Sequence, residues 1–255
     1  MATGKVFLIG AGPGDVELLT LKAVKALSAA DVILIDDLVN QEILQFAKPD
    51  APVIRVGKRG GGRSTPQIFI SKLMISLACE GKCVARVKGG DPLIFARTHE
   101  ELKVLSEFGI EVSIVNGITA GLAAHATLGI PLTNRDYAHS IAFVTGRSRE
   151  SMQPNWRALV ESGSTLVIYM GMRTLNQIVE RLIKAGMSPM MPAAIVQNAT
   201  LLEERTLVTR LAELPKAVDQ SGLDSPAVII VGRVIEDSQA MRETTAFFSS
   251  TGRLP

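Results

Sequence analysis

A chain of 255 residues that is 47% apolar and 20% charged can build a sizeable core, which excludes a disordered, collagenous or disulfide-scaffold protein. With 27 basic and 25 acidic side chains the formal charge is +2, so no global field draws in nucleic acid and an anionic ligand must be held by a local cluster. The longest apolar stretch, Ile118 to Leu132, is broken by Gly121, His125 and Gly129, short of the roughly 18 uninterrupted residues of a membrane span.

No apolar leader precedes the first strand, so the expectation is a soluble, cytoplasmic protein without a membrane partner. Val6 to Ile9, Val32 to Ile35, Val53 to Val56, Val84 to Val87 and Val112 to Val115 are short Val- and Ile-rich runs, which predict buried parallel strands. Leu18, Leu21, Val24 and Leu27 recur at helical spacing over Glu17 to Ala29, and this alternation predicts an α/β architecture. A helix over Thr119 to Leu128 stops at Gly129 before Pro131, a hinge signal that puts the domain boundary near Thr133. The expected domains are 1–133 and 134–235, followed by a polar tail, 236–255.

In the second domain the candidate strands are Ile141 to Thr145, Thr165 to Met170, Ala193 to Gln197, Arg205 to Val208 and Ala227 to Val231. Helices over Asn155 to Glu161, Thr174 to Ala185 and Thr209 to Val218 fill the gaps, and the halves share no residue-level repeat.

Gly10-Ala11-Gly12-Pro13-Gly14-Asp15 follows the first strand, and Asp36-Asp37 ends the second, close to the dinucleotide fingerprint. The third glycine of that fingerprint is Asp15, whose charge would face a pyrophosphate at the helix N-terminus, so a phosphate ligand and an NAD-dependent reading are disfavoured. Asp15 can cap the following helix, and the loop is either a tight structural turn or the wall of an uncharged or cationic cofactor. A second glycine loop, Arg86-Val87-Lys88-Gly89-Gly90-Asp91-Pro92-Leu93-Ile94-Phe95, follows the fourth strand, and Asn116-Gly117-Ile118-Thr119-Ala120-Gly121 follows the fifth. In an open parallel sheet these loops converge beyond the carboxyl ends of the strands, where ligands collect.

The segments VFLIGAGPGDVELLTLKA, VILIDDLV, VGKRGGGRS, VKGGDPLIF, GITA, GIPLTNRDY and SPAVIIVG, in this order, resemble the tetrapyrrole methylases over most of the chain. The resemblance implies a two-domain α/β fold, each domain a mostly parallel sheet flanked by helices, with the active site in the cleft between domains. It implies a homodimer using S-adenosylmethionine, which leaves as S-adenosylhomocysteine. The implied reaction is transfer of two methyl groups to carbons of uroporphyrinogen III, giving precorrin-2 for sirohaem- or cobalamin-type pathways.

Matching positions imply cofactor contacts at Pro13, Gly89, Gly90, Asp91, Ile94, Thr119, Ala120, Met170, Ala199, Pro226, Ala227 and Val228. They imply acid and base roles for Asp36 and Lys58, and substrate contacts at Arg59, Arg63, Arg97, Glu100, Arg135 and Met172. Where the family usually has Gly-Arg-Gly-Gly-Glu-Glu, this chain has Ala96-Arg97-Thr98-His99-Glu100-Glu101; Arg63, Asn116 and Gly121 replace the common histidine, proline and alanine.

Methyl transfer from a sulfonium to carbon needs alignment in a dry site and no metal. The methylated pyrrole system becomes cationic and sheds a proton, so a carboxylate and a group of tunable pKa have roles to fill. Asp36 fits, or is a strand-end acid pairing with a cation; Lys58 fits, or is a solvated loop charge. The eight carboxylates of the implied substrate call for local cations, which Lys58, Arg59, Arg63, Arg97 and Arg135 supply. Lys58-Arg59 would also suit an RNA backbone, but Phe, Trp and Tyr are only 4% of the chain, too few for stacking platforms.

His99, His125 and His139 are scattered, with His125 expected as a hydrogen-bonded core histidine, and no metal site is expected. Cys79 and Cys83 are expected as buried or partly buried thiols, and Met187, Met190 and Met191 as adaptable packing. Two alternatives accompany the leading reading: methylation of a later precorrin, and a binding protein that holds cofactor or tetrapyrrole without turnover.

Overall fold

The computed structural model describes residues 4–57, 65–147 and 152–238. The chain divides into two compact units, Met1–Ala120 and Gly121–Pro255, a division earlier in the chain than the expected boundary near Thr133.

The first unit is built on β1 (Lys5–Gly10), β2 (Val32–Ile35), β3 (Val53–Arg55), β4 (Cys83–Lys88) and β5 (Glu111–Val115), all parallel in the order β3-β2-β4-β1-β5. Because side chains alternate across a strand, each run feeds two cores. Ile9, Ile33, Ile35, Ala85 and Val87 face α1 (Leu21–Ala29), which inserts Ala23, Ala26 and Leu27. Val6, Leu8, Val32, Leu34 and Val84 pack with Ile70, Met74 and Leu77 of α2 (Gln67–Cys79) and Leu105 of α3 (Thr98–Glu107). Full burial of a side chain such as Leu8 or Leu34 contributes about 1.5 to 3 kcal/mol of transfer free energy.

The helix expected over Glu17 to Ala29 is split. Asp15 Oδ1 accepts from Glu17 N at 2.8 Å and caps a 3-10 turn, Val16–Leu18, and Thr20 Oγ1 then accepts from Ala23 N at 3.1 Å to start α1. Two local caps thus compete with one continuous helix and win. β4 extends the expected Val84 to Val87 by one residue at each end, so Lys88 closes the strand.

α4 (Ala120–Leu128) ends as expected at Gly129, whose φ of +64° is the left-handed stop. The second sheet contains β6 (Ile141–Thr145), β7 (Thr165–Tyr169), β8 (Pro192–Gln197), β9 (Arg205–Arg210) and β10 (Ala227–Val231), ordered β6-β7-β10-β8-β9. It is packed by α5 (Trp156–Glu161), α6 (Leu175–Lys184) and α7 (Leu214–Ser221), with Leu166, Ile168, Ile178, Leu182, Ile195 and Ile229 at its centre.

Its pairing corrects the expectation of a mostly parallel sheet. Only β6 and β7 pair in parallel, while β10 is antiparallel to β7 and β8, and β8 is antiparallel to β9. The link from Gln197 to Arg205 is too short for a crossover, which takes about a dozen residues, so β9 must turn back on β8. The helix-connected pairs β7 with β8 and β9 with β10 do run the same way, but β10 inserts between β7 and β8. The helix expected from Thr209 begins only at Leu214, because β9 runs on to Arg210 and a 3-10 turn follows. Glu236 and Asp237, expected to open the tail, lie in a 3-10 turn, Arg233–Asp237. Among the described residues no helix is long and apolar enough to cross a membrane.

Candidate functional site

In the first unit, the parallel register brings Gly10, Ile35, Lys88 and Val115 to one edge, so the loops that follow them meet there as expected. They meet backbone to backbone. Ala11 N donates to Lys88 O at 2.8 Å, Gly12 N to Gly90 O at 3.1 Å, Gly90 N to Gly12 O at 2.7 Å, and Asp36 N to Val87 O at 3.1 Å. A Cβ on Gly10 would stand 2.6 Å from Gly90 O and 2.7 Å from Gly117 N, so no side chain fits between these loops.

Asp91 ties the cluster together: its carboxylate accepts from Leu93 N at 2.8 Å, Gly117 N at 3.1 Å and Asn116 Nδ2 at 3.3 Å. Asn116, where proline is common, thereby adds a bond that proline could not make. Pro13, Gly89, Gly90, Ile94 and Ala120 are half-buried around this edge, and Thr119 is buried. A Cβ on Gly89 would meet Leu38 at an ordinary 3.6 Å, which leaves that stretch of backbone open. Asp15, bound as a cap to Glu17 N, places a negative charge at the start of the turn after the first glycine loop, which disfavours a pyrophosphate there.

The same edge exposes Leu38, Leu93 and Phe95, large apolar side chains that sequence reading did not single out. Phe95 and Arg97 both hold positive φ, 52° and 57°, a conformation that side-chain-bearing residues adopt rarely and at a cost. Thr98, which replaces a common glycine, turns inward. It is buried at the start of α3 and its hydroxyl donates to Pro92 O, so it braces the Asp91 to Arg97 loop. Arg97 and Glu100 are exposed and pair with each other through two 2.7 Å bonds. That pair holds the Glu100 carboxyl below its ordinary range and the Arg97 guanidinium above its own.

Beneath the edge is a charge network that sequence reading missed. Arg86 and Lys88 alternate with the apolar residues of β4 and point to the α2 and α3 face, where Glu101 is fully buried. Glu101 accepts from Lys88 Nζ at 2.6 Å, Arg86 Nε at 3.2 Å and Gln67 Nε2 at 2.8 Å. Arg86 NH1 donates to Val87 O at 3.1 Å, and its NH2 pairs with Asp36 Oδ1 at 2.8 Å. Burial pushes the Lys88 ammonium below the ordinary lysine value, against the opposing pull of Glu101. The signal was present in Ala85-Arg86-Val87-Lys88: two cations on one face of an otherwise apolar strand require a buried acid. Lys58, Arg59 and Arg63 lie outside the described residues.

In the second unit the remaining cofactor candidates also gather at one end of a sheet. Tyr169 pairs with Val228 and Gln197 with Ala227, which sets Met170 and Ala199 near Pro226, and Asn198 N donates to Pro226 O at 3.1 Å. Met170, Asn198 and Thr200 all hold positive φ there. Tyr169 Oη accepts from Gly121 N at 2.7 Å, and the alanine common at 121 would drive its Cβ into that hydroxyl. Met172 opens a short 3-10 turn after Gly171.

Arg135 is exposed in a turn closed by the Asn134 to Ala138 bridge, and that turn is pinned by Tyr137, whose hydroxyl donates to Asp237. His125 Nδ1 lies 2.8 Å from Ile130 O, the hydrogen bond expected of it, although the ring is half-buried rather than in the core. Met187 is buried, whereas Met190 is exposed. Cys79, expected to be at least partly buried, is exposed, because it is the last residue of α2 and faces outward; Cys83 is half-buried. Among the described residues no cluster of three or more metal-binding side chains is present.

The sequence pattern of the family Tetrapyrrole (Corrin/Porphyrin) Methylases matches residues 5–215. The chain is similar to the uroporphyrinogen-III C-methyltransferase of Pseudomonas aeruginosa, with 49% identity over 92% of this chain and 96% of that protein. Among solved structures it is similar to the uroporphyrin-III C-methyl transferase of Thermus thermophilus complexed with S-adenyl homocysteine, at TM-score 0.78 and 37% identity over 91% of this chain and 93% of that one. It is also similar to the cobalamin biosynthetic enzyme cobalt precorrin-4 methyltransferase, at TM-score 0.81 and 29% identity over 91% of this chain and 95% of that one.

Proposed function

From the premise that this chain belongs to the tetrapyrrole methylase family, we propose that it transfers two methyl groups from S-adenosylmethionine to carbons of uroporphyrinogen III, yielding precorrin-2. The observation that carries this reading is the 49% identity to the Pseudomonas aeruginosa enzyme over nearly the whole of both chains.

The bound cofactor supplies an electrophilic methyl group whose bond electrons leave with sulfur. In the first unit Gly89, Gly90, Pro13, Ile94, Thr119 and Ala120 line the loop edge as its nearest wall, and Asp91 holds those loops in register. In the second unit Met170, Ala199 and Pro226 to Val228 are the matching contacts. The ring system that receives the methyl group becomes cationic, and Asp36, at the carboxyl end of β2 and still partly exposed, takes the proton it sheds. Lys58 is the second proton-transfer group in this reading, relaying the released proton from the site to solvent. This reading assigns Arg97, Arg135, Arg59 and Arg63 to the substrate carboxylates, with Glu100 orienting Arg97 through their two-bond pair and Met172 as an apolar contact. Exposed Leu38, Leu93 and Phe95 give the tetrapyrrole an apolar surface. The working assembly in this reading is a cytoplasmic homodimer, supported by the exposed Ile68 and Phe69 on α2, an apolar pair that a second copy would cover.

Anaerobic incubation with uroporphyrinogen III and the methyl donor, read by mass spectrometry, tests the proposal: the expected product carries two added methyl masses, and an unchanged substrate overturns it. A second reading, methylation of a later precorrin, draws on the fold shared with the cobalt precorrin-4 enzyme. Turnover of a later precorrin with none of uroporphyrinogen III would select it.

A further inference from the structure

The buried network under the loop edge contains more charge than the fold needs. Two cations and a carboxylate are enclosed between β4, α2 and α3, where an apolar trio of similar volume would stabilise at least as well. Among the charged members of the network the partly exposed one is Asp36, whose side chain is 29% accessible against 3%, 4% and 0% for Arg86, Lys88 and Glu101. The enclosed charges therefore end at the carboxylate to which the proposed reaction gives a proton.

The geometry of Arg86 is specific. Each of its three nitrogens has its own acceptor: Nε has Glu101 Oε1, NH1 has Val87 O, and NH2 has Asp36 Oδ1. A planar fork held at two corners presents the third in one direction, which a lysine ammonium cannot reproduce. Glu101 is itself fixed by Lys88 and by Gln67, so the orientation of Arg86 is set from α2, α3 and β4 together.

We propose that Arg86 and Glu101 are positioning residues for methyl transfer: Glu101 orients Arg86, and Arg86 clamps Asp36 Oδ1 so that Oδ2 is turned to receive the proton the methylated ring system sheds. No bond is made or broken at Arg86 or Glu101, and the proton passes from the tetrapyrrole to Asp36 and then to solvent. This inference rests on the reading of Asp36 as proton acceptor, and its test separates the two.

The experiment measures steady-state methylation of uroporphyrinogen III, and S-adenosylhomocysteine affinity by calorimetry, for Asp36→Asn, Arg86→Lys and the double variant in the full chain. Arg86→Lys is expected to lower kcat by about tenfold or more while KM and S-adenosylhomocysteine affinity stay within about twofold, because only proton transfer geometry is lost. The double variant is expected to be no slower than Asp36→Asn alone, since Arg86 acts through that carboxylate. Additive losses, a KM that rises in step with any fall in kcat, or unchanged kcat would overturn the proposal. If Asp36→Asn itself leaves kcat unchanged, the acceptor reading fails first and takes this inference with it. If Arg86→Lys does not fold, Glu101→Gln is read against the same criteria; if that chain also fails to fold, the network is a scaffold only and the proposal is overturned.

Discussion

At its loop edge the first sheet delivers every strand by its carboxyl end, whereas the second gathers the ends of β7 and β8 with the beginning of β10. The first edge is closed by glycines whose backbones touch, with a charge network below; the second is shaped by Met170, Asn198 and Thr200 at positive φ above an apolar core. Parallel strands aim their carboxyl ends and loop amides at one place, so the first unit makes a concentrated polar edge, with Phe95 and Arg97 in its second glycine loop also held at positive φ. A mixed sheet brings fewer carboxyl ends to either side, and the second unit reaches a comparable crowding of loops by holding three side-chain-bearing residues in a disfavoured conformation.

The largest effect should come from filling the contact that closes the first edge. Gly10→Val is expected to cost about 3 kcal/mol or more, because its Cβ would meet backbone of two other loops, and calorimetry should find S-adenosylhomocysteine binding lost. Gly89→Ala, where the new methyl would meet Leu38 at 3.6 Å, should change the denaturant midpoint by less than about 1 kcal/mol equivalent. Equal costs at the two positions would break the distinction between a sealed and an open stretch of that edge.

Next in size are the cores. Leu34→Ala in the first sheet and Ile229→Ala in the second remove fully buried side chains, and each is expected to cost about 2 to 5 kcal/mol by urea unfolding followed by circular dichroism. A cost near zero at Leu34 would mean that charge rather than apolar packing holds the first unit together.

A smaller effect depends on pH. Burial lowers the Lys88 pKa in the folded chain, so between that value and the ordinary lysine value near 10.5 the unfolded chain binds more protons. Stability from this group therefore rises as pH rises through that window and is lost as pH falls through the folded pKa. Lys88→Met should flatten that part of the stability profile, and an unchanged slope would remove Lys88 from the account.

The smallest effect is expected at the surface. Glu100→Gln breaks an exposed pair with Arg97 and should cost less than about 0.5 kcal/mol at neutral pH. Because the folded carboxyl titrates below its ordinary value, the difference from the parent chain should vanish as pH falls through that lowered pKa. A large loss of stability would show that Arg97 at its positive φ depends on this pair; a change confined to KM would point instead to substrate contact.

Much of the first unit was legible because its signals are local. Five Val- and Ile-rich runs with glycine loops after them can form little else than a parallel sheet with its loops on one edge, and Asp15 and Gly129 marked a cap and a stop by their own chemistry. The second unit was legible as strands and helices but not as a sheet, since short runs such as Ala227 to Val231 carry no mark of which neighbours they will lie between. At the candidate site the glycine loops and Asp36 were found by position after strands. Arg86 and Lys88 border a glycine motif whose loop carries the stronger local signal, and Glu101 follows Glu100 in a helix where exposed acids are common.

Sequence alone determined the α/β class, the alternation that builds each core, the edge where the first unit's loops collect and, through ordered motifs, the family. Tertiary structure alone decided that β10 inserts antiparallel between β7 and β8, that Thr98 turns inward to brace a loop, and that Glu101 lies under Asp36 with Arg86 between them. Strand propensity, caps and glycine conformations are set within a few residues, so they can be read along the chain. Strand order and the partner of a buried charge are set by what the folded chain brings together from far apart, so they appear only once it has closed.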